Sequence, residues 1–267
     1  MRFIAVQTSP SWMDVPASRR AVEAQMAETS PDEGDFIVLP EMCETGWTSD
    51  AALCSRAYEA ANPTSIDWFS ALAKRFRVWL QAGFAERLPD GRHANSVAVL
   101  SPGGEHKATY RKNFLFPSEQ SAFAAGDAVV VLDLGPIRVC PLICYDLRFP
   151  ELWRLATRAG AEAFTVSSSW PSVRHEHWRQ LLVARAIENQ ALVVAANRTG
   201  NDPALAYSGG SVAIDSLGVR VAECGEPAGS ASMVLDREAF DAWRVRFGAL
   251  RDTRTSLLGS IRVERAP

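Results

Sequence analysis

Three segments of the sequence each place one reactive side chain at the end of, or within, an apolar stretch. Glu41 follows the run DFIVLP, Lys112 lies in TYRKNFLF, and Cys144 follows VCPLI. A thiolate can attack a carbonyl carbon, a carboxylate can take the thiol proton, and an ammonium can donate hydrogen bonds to the developing oxyanion. We therefore interpret Cys144 as a nucleophile, Glu41 as a general base and Lys112 as an oxyanion donor.

Cys144 lies in the segment RVCPLICYDLRFPELWRLATRAG, which predicts a strand ending at the cysteine, a tight connection and a helix beginning near Pro150. Open α/β folds bind their ligands at this carboxyl edge of the sheet. Because backbone N–H groups and a nearby helix start favour a thiolate, we expect the pKa of Cys144 to lie below its usual value of about 8.5. The alternative is a buried structural cysteine, such as Cys140 in the middle of the same strand.

Glu41 and Lys112 each have an alternative interpretation as a solvated surface residue. Glu41 emerges where a buried strand leaves the sheet, which suits a general base, but a loop carboxylate in water has the same pattern. Lys112 lies between the aromatic residues Tyr110 and Phe114, an unusual setting for a surface lysine. As an oxyanion donor it would contribute about 3 to 4 kcal/mol, whereas the alternative is an exposed lysine on a hairpin.

The histidines and cysteines form no metal or disulfide pattern. The four histidines are at 93, 106, 175 and 177, and the pair at 175 and 177 lacks a third ligand at any usual spacing. The chain has five cysteines, an odd number, which argues against a disulfide scaffold, and the absence of a CxxC pair argues against a zinc ribbon. We therefore expect metal-free chemistry, and the role of Cys43, close in sequence to Glu41, stays open.

Composition restricts the class of protein further. Of the 267 residues, 47% are hydrophobic and 22% are charged, which is the balance of a globular protein with a sizeable core. The net charge of -3 gives no overall attraction to nucleic acid or anionic lipid. The N-terminal apolar stretch is shorter than the roughly 7 to 15 residues of an export signal, and no apolar run approaches the roughly 18 residues of a membrane span. We expect a cytoplasmic protein.

The elements that must position these side chains can be read from hydrophobic periodicity. Short segments that are apolar on both faces predict buried strands at 3–7, 36–39, 79–84, 96–100, 129–132, 139–143, 163–167 and 192–196. Apolar residues three or four apart predict helices at 18–29, 65–76, 151–159 and 177–190. Strands alternating with helices predict an α/β layered fold, and the absence of a long linker in the sequence predicts one domain over 1–267. The tail from about residue 237 is expected to pack on a partner subunit.

The segments that carry the candidate residues resemble the nitrilase superfamily of carbon-nitrogen hydrolases. The matching segments are VLPEMCETGW, YRKNFLF and ICYDLRFPELW, with HWRQLLVARAIENQALVVAANRTG further along the chain. In that superfamily a glutamate, a lysine and a cysteine follow one another in this order. The likeness is closest to the omega-amidase branch, which hydrolyses the terminal amide of 2-oxoglutaramate or 2-oxosuccinamate, and its local basis is CYDLRFPELW followed by SSSWP.

The resemblance implies a four-layer α-β-β-α sandwich with the active site on loops at the strand ends. It also implies subunit pairing into a homodimer or a larger homo-oligomer, a small-molecule amide as substrate, and no cofactor. Glu119 is the implied second acid. The oxyanion would be held by Lys112 together with the backbone N–H of Tyr145.

The resemblance also implies the walls of the substrate pocket, which we assign to Phe116, Tyr145 and Trp170. A carboxylate on the substrate needs a cation, and Arg148 is the main candidate, with Arg174 and Arg198 also close in sequence. Other activities remain open: a nitrilase, an N-carbamoyl amino acid hydrolase, an amidase for deaminated glutathione, or a catalytically silent binding protein of the same fold.

Overall fold

The computed structural model describes residues 1–59, 64–257 and 259–266. Two β-sheets lie face to face, and helices cover their outer faces. The predicted α-β-β-α sandwich is therefore confirmed. The strands are β1 (Arg2–Gln7), β2 (Phe36–Val38), β3 (Trp79–Arg87), β4 (His93–Leu100), β5 (His106–Arg111), β6 (Ala128–Asp133), β7 (Arg138–Ile143), β8 (Ala163–Ser168), β9 (Leu192–Asn197), β10 (Thr199–Asn201), β11 (Ala206–Ser208), β12 (Val212–Ile214), β13 (Arg220–Glu223), β14 (Gly229–Val234) and β15 (Arg262–Ala266). The helices are α1 (Val15–Thr29), α2 (Ala51–Glu59), α3 (Ser65–Phe76), α4 (Pro150–Arg158), α5 (His175–Asn189) and α6 (Arg237–Arg246).

The strand order brings the ends of several strands to one region between the sheets. The first sheet has the order β14-β1-β2-β3-β4-β5, with β1, β2 and β3 parallel. The second has the order β13-β12-β9-β8-β7-β6-β15, with β7, β8 and β9 parallel. Parallel strands are covered on both faces, which is why their sequences are mostly apolar on both faces.

The core fills the space between the sheets and extends beneath the helices. Phe3 and Phe36 of the first sheet stack with ring centroids 5.5 Å apart, in the same cluster as apolar residues of the second sheet. On the outer face of the second sheet, Trp153 of α4 and Trp178 of α5 are fully buried. On the outer face of the first sheet, Phe69 of α3 packs in a separate cluster with residues of α1. These layers hold the strand ends, and therefore the site, in fixed positions.

All eight predicted strands and all four predicted helices are confirmed, with no end displaced by more than three residues. The helices α2 and α6 and the strands β5, β10, β11, β12, β13, β14 and β15 are not among the predicted elements. The predicted helix at 177–190 begins two residues earlier, at His175.

The C-terminal tail returns to the sheet of its own chain. Strand β15 pairs in parallel with β6, and Arg237 of α6 lies 3.0 Å from the carboxylate of Glu162. Phe240 of the same helix is buried. Contact of the tail with a second subunit stays a prediction. Among the helices described, none is both long enough and apolar enough to cross a bilayer.

Candidate active site

Cys144 lies directly after β7, where the chain leaves the second sheet. Its φ of 42° falls in the left-handed region, which a non-glycine residue adopts at a cost and mostly in turns or functional sites. It opens a 3₁₀ turn over Cys144–Arg148, and α4 then begins with Pro150 in its first turn. The predicted strand, tight connection and helix are therefore confirmed.

Lys112 lies between two carboxylates at the inner end of the site. Its Nζ is 2.9 Å from Oε1 of Glu41 and 2.8 Å from Oε2 of Glu119. All three side chains are at most 1% exposed, which rules out the solvated alternatives for Glu41 and Lys112. Glu41 follows β2 through Leu39 and Pro40, and Lys112 directly follows β5. These two strands run in the same direction with β3 and β4 between them, so both residues leave the first sheet at the same edge.

The protonation states of this ion-paired group follow from its surroundings. Burial opposes the charge of Lys112, but the carboxylates of Glu41 and Glu119 outweigh burial and raise its pKa. Burial likewise opposes ionisation of Glu119, yet the ammonium of Lys112 and the hydrogen bonds to Glu119 keep its pKa below the usual value. Lys112 is therefore a cation and Glu119 an anion at neutral pH.

The expectation of a lowered pKa for Cys144 is wrong. Burial raises the pKa of the thiol, and the carboxylate of Glu41 raises it further. The charge of Lys112 and contacts with Ser168 and the backbone of Ser169 oppose this shift only in part. The prediction relied on the nearby helix start, whereas burial and a neighbouring acid dominate. Cys144 rests as a thiol and needs a base to become a nucleophile.

Three further residues orient the carboxylates, and sequence reasoning missed all of them. Asn95 of β4 donates through Nδ2 to Oε1 of Glu41 at 2.7 Å and to Oε1 of Glu119 at 2.8 Å. Trp47 donates through Nε1 to Glu119 at 3.0 Å, and the backbone N–H of Ser169 donates to Glu41 at 2.9 Å. Asn95 directly precedes the predicted strand at 96–100, and that was the one available signal, because no local pattern marks Trp47 or Ser169.

A cleft that is partly open to solvent, with about 390 Å³ of empty space in total, contains Cys144 and Lys112 in its lining. Its lining residues are Trp47, Lys112, Phe116, Cys144, Tyr145, Arg148, Ser169, Trp170, Pro171, Arg174 and Leu205. The structure thus brings Phe116, Tyr145, Trp170 and Arg148 together at the cleft, as the resemblance implied.

Cys43, whose role the sequence left open, does not line this cleft and is wholly buried in the core between the first sheet and its helices.

Two guanidinium groups face this cleft. Arg148 lies over the ring of Trp170, 4.6 Å from its centroid, and Arg174 lies 5.6 Å from the ring of Phe116. Partial burial and the charge of Arg174 both lower the pKa of Arg148, so the two cations act on each other. The described residues place no carboxylate within 4.0 Å of either one. The cleft therefore has a cationic wall that an anionic group could neutralise.

Arg198, the third cation considered, lies elsewhere. It is wholly buried over the ring of Tyr207, 4.2 Å from its centroid, and donates to the backbone oxygen of Asn201 at 3.1 Å. It is not one of the residues that line the cleft. The idea that Arg198 binds substrate was therefore wrong, because burial at the base of the β10–β11 hairpin gives it a structural role.

The part of the chain that the structure describes contains no cluster of three or more histidine, cysteine, aspartate and glutamate side chains able to hold a metal ion. The site instead combines a thiol, an ammonium and two carboxylates. Such a group can transfer an acyl group: a base activates the thiol, and a cation stabilises the oxyanion.

Comparison with known proteins agrees with this fold and identifies the family. The family model described as carbon-nitrogen hydrolase matches residues 4–245. The chain is 36% identical over 265 residues to the omega-amidase YafV of Yersinia enterocolitica, covering 97% of this chain and 98% of that protein. It is 32% identical over 232 residues to the 2-oxoglutaramate amidase of Bacillus subtilis, covering 86% and 89%. The chain also superposes on a CN-hydrolase superfamily protein of Xanthomonas campestris, which was solved with an arsenic adduct in its active site. The TM-score is 0.86 at 30% identity, covering 97% of this chain and 99% of that one.

The α-β-β-α sandwich and the family match over residues 4–245 define a carbon-nitrogen hydrolase. This chain belongs to the carbon-nitrogen hydrolase family, within the nitrilase superfamily. The membership predicted from the sequence motifs is confirmed.

Proposed function

We propose that this protein is an omega-amidase that hydrolyses the terminal amide of a short 2-oxo acid, such as 2-oxoglutaramate or 2-oxosuccinamate, and releases ammonia. One observation carries the proposal: Cys144 and Lys112 share their cleft with Arg148 and Arg174. A reactive thiol at one end and two cations at the wall suit a small molecule with an amide at one end and a carboxylate at the other. The omega-amidase and 2-oxoglutaramate amidase among the relatives support the same choice.

The proposed reaction starts from the thiol. Glu41 takes the proton of Cys144, and the sulfur attacks the amide carbon. Lys112 and the backbone N–H of Tyr145 hold the oxyanion. An ammonium has three N–H groups, and Glu41 and Glu119 accept only two of those on Lys112, so one remains for the substrate. Glu119 holds Lys112 in place.

The tetrahedral intermediate then collapses. Glu41 gives its proton to the amide nitrogen, ammonia leaves, and a thioester to Cys144 remains. Glu41 next takes a proton from a water molecule, which attacks the thioester carbon. The C–S bond breaks, Cys144 regains its proton, and a carboxylic acid is released. The protein's own side chains supply every proton transfer in this sequence.

The choice of substrate is tested on a panel of amides and nitriles by measuring the released nitrogen compound, which is ammonia for every substrate except deaminated glutathione, whose leaving group is the free amine of a peptide. We expect the highest kcat/KM for 2-oxoglutaramate or 2-oxosuccinamate, compared with an aliphatic nitrile, an N-carbamoyl amino acid and deaminated glutathione. A higher kcat/KM for any of the last three would replace the omega-amidase proposal with that activity. Turnover of none of them would favour a silent binding protein of the same fold.

The cationic wall gives a sharper prediction. Replacing Arg174 with glutamine removes one of two cations near the substrate carboxylate, and charge-assisted hydrogen bonds of this kind predict a fall in kcat/KM of roughly 10- to 100-fold. The fall should appear mainly as a higher KM for the 2-oxo acid amide. An uncharged amide of the same length should lose less than about threefold, because it has no carboxylate to bind.

Arg179→Gln is the matched control for this variant. Arg179 lies on α5, a few residues along the chain, and pairs with Glu223 at 2.8 Å on the protein surface. Its replacement should leave kcat/KM unchanged for both the charged and the uncharged amide. An equal loss for charged and uncharged amides in Arg174→Gln would show that the arginine supports the cleft wall rather than the substrate carboxylate.

We also propose that the chain is one domain, that it pairs into a homodimer or larger homo-oligomer, and that it works in the cytoplasm. Exposed apolar side chains in the tail beyond residue 237 support the pairing. Val245 is 70% exposed, Phe247 54% and Leu257 72%. Large apolar groups at this exposure are typical of a surface that another chain covers. A molar mass of one chain by light scattering at working concentration would contradict the pairing.

A further inference from the structure

The cysteine and the lysine of the site belong to different sheets. Lys112 follows β5 of the first sheet, and Cys144 begins the turn that follows β7 of the second. Cys144 is 32 positions after Lys112 in the chain. Their relative position must therefore be set by contacts between the two segments that carry them.

One buried carboxylate makes that contact. Asp146 is the third residue of the 3₁₀ turn that Cys144 opens, and it is fully buried. Its Oδ2 accepts the hydroxyl of Tyr110 at 2.7 Å and the backbone N–H of Ile143 at 3.0 Å. Its Oδ1 accepts the backbone N–H of Phe114 at 2.9 Å.

The three donors flank the two reactive residues. Ile143 immediately precedes Cys144, so its bond closes the turn in which the cysteine adopts its left-handed φ. Tyr110 and Phe114 lie two residues before and two residues after Lys112. A single side chain thus holds the cysteine turn on one side and both flanks of the lysine segment on the other.

We infer that Asp146 is a positioning residue for the hydrolysis: its carboxylate ties the lysine segment to the cysteine turn, so that the ammonium and the sulfur face the same substrate carbon. The inference rests on the proposed function for the role of Lys112 and Cys144, but the contacts of Asp146 stand independently of the substrate.

The charge state of Asp146 fits this role. Burial raises its pKa to about 6, while the hydrogen bonds from Phe114, Tyr110 and Ile143 and the charge of Lys112 act in the opposite direction. Above that pKa the group is acceptor-only, as three converging donors require. An asparagine in its place has one acceptor oxygen and one N–H₂ group. Whichever way the amide turns, its N–H₂ faces a donor, and either the lysine segment or the cysteine turn loses its support.

The experiment compares Asp146→Asn with Tyr110→Phe and with the control Asp133→Asn. Asp133 is an exposed aspartate that accepts a backbone N–H of a surface turn, from Gly135 at 2.8 Å. Two rates are measured on folded protein: kcat for the amide, and the rate of alkylation of Cys144 by iodoacetamide at neutral pH. Alkylation needs no substrate, so it separates a failure of this inference from a failure of the proposed substrate.

In Asp146→Asn we expect kcat to fall about 10- to 100-fold with KM within about threefold, since misplacement of reacting groups acts on the chemical step. Alkylation should slow as well, because Lys112 no longer lowers the pKa of the thiol as strongly. Tyr110→Phe removes one of the three hydrogen bonds to Asp146, so kcat and the alkylation rate should each fall roughly 3- to 10-fold. Asp133→Asn should change neither rate.

Unchanged kcat and unchanged alkylation in folded Asp146→Asn would overturn the inference and leave Asp146 as a structural group alone. A lower melting temperature with both rates intact would have the same meaning. If Asp146→Asn does not fold, Tyr110→Phe decides: slower kcat and slower alkylation support the inference, and two unchanged rates overturn it.

Discussion

Replacing Cys144 with alanine is expected to lower ammonia release from the preferred amide by roughly 10⁴-fold or more, as loss of a covalent nucleophile does in related chemistry. No other side chain that lines the cleft is a thiol, so no neighbour can take over the attack on the amide carbon. The free energy of unfolding should change by less than about 1 kcal/mol, because alanine and cysteine are similar in size and meet the same cost at a φ of 42°. Steady-state ammonia release and thermal unfolding of the same preparation check both parts.

Cys224→Ala is the matched control, since Cys224 is the other cysteine with partial exposure. It should retain full turnover. In the unaltered protein, alkylation should reach Cys144 before Cys224, and substrate should protect Cys144. Near-normal turnover of Cys144→Ala would remove the cysteine from the reaction, and equal labelling of the two cysteines would favour a silent binding protein.

The elements that the sequence predicted are those whose environment is uniform along their length. The strands β7, β8 and β9 are buried at all but one position because both faces are covered, and most of their residues are apolar. Strand β5, with the sequence HKATYR, is half exposed at the edge of the first sheet and has no such run. Helix α6, with the sequence REAFDAWRVR, buries only Phe240. Its charged residues leave too few apolar positions for helical periodicity to be recognised in the sequence. Its capping aspartate, Asp236, was the one local signal.

In the candidate site, too, some residues could be recognised from the local sequence and others could not. Glu41, Lys112 and Cys144 could be found because each ends or lies beside a recognisable run in the sequence. The roles of Asn95 and Asp146 could not, because both depend on which strand ends meet, and that is a property of sheet order. The candidate catalytic residues were thus visible locally, whereas the residues that contact them were visible only in three dimensions.

The error about the pKa of Cys144 has the same origin. The helix start after Cys144 is a local feature and was correctly predicted. Burial and the carboxylate of Glu41 come from distant parts of the chain, and they are the larger effects on the thiol. The correction changes the chemistry: a thiolate held by a helix start would need no base, whereas a buried thiol beside a glutamate depends on that glutamate.

Glu41→Gln therefore carries the second large prediction, a fall in kcat of roughly 10³-fold, which is within the range for loss of a general base. Glutamine keeps the shape and can still accept from Lys112 and Asn95 through its oxygen, although its N–H₂ then faces the backbone N–H of Ser169. It cannot take the thiol proton. The residual rate should rise with pH across about pH 7 to 9, because solvent must then deprotonate a thiol whose pKa burial holds above its usual value. Glu119→Gln is the comparison: it also removes one carboxylate from Lys112 but leaves the base, so its loss should be at least about tenfold smaller, with no such rise with pH. A larger loss in Glu119→Gln than in Glu41→Gln would transfer the base role to Glu119.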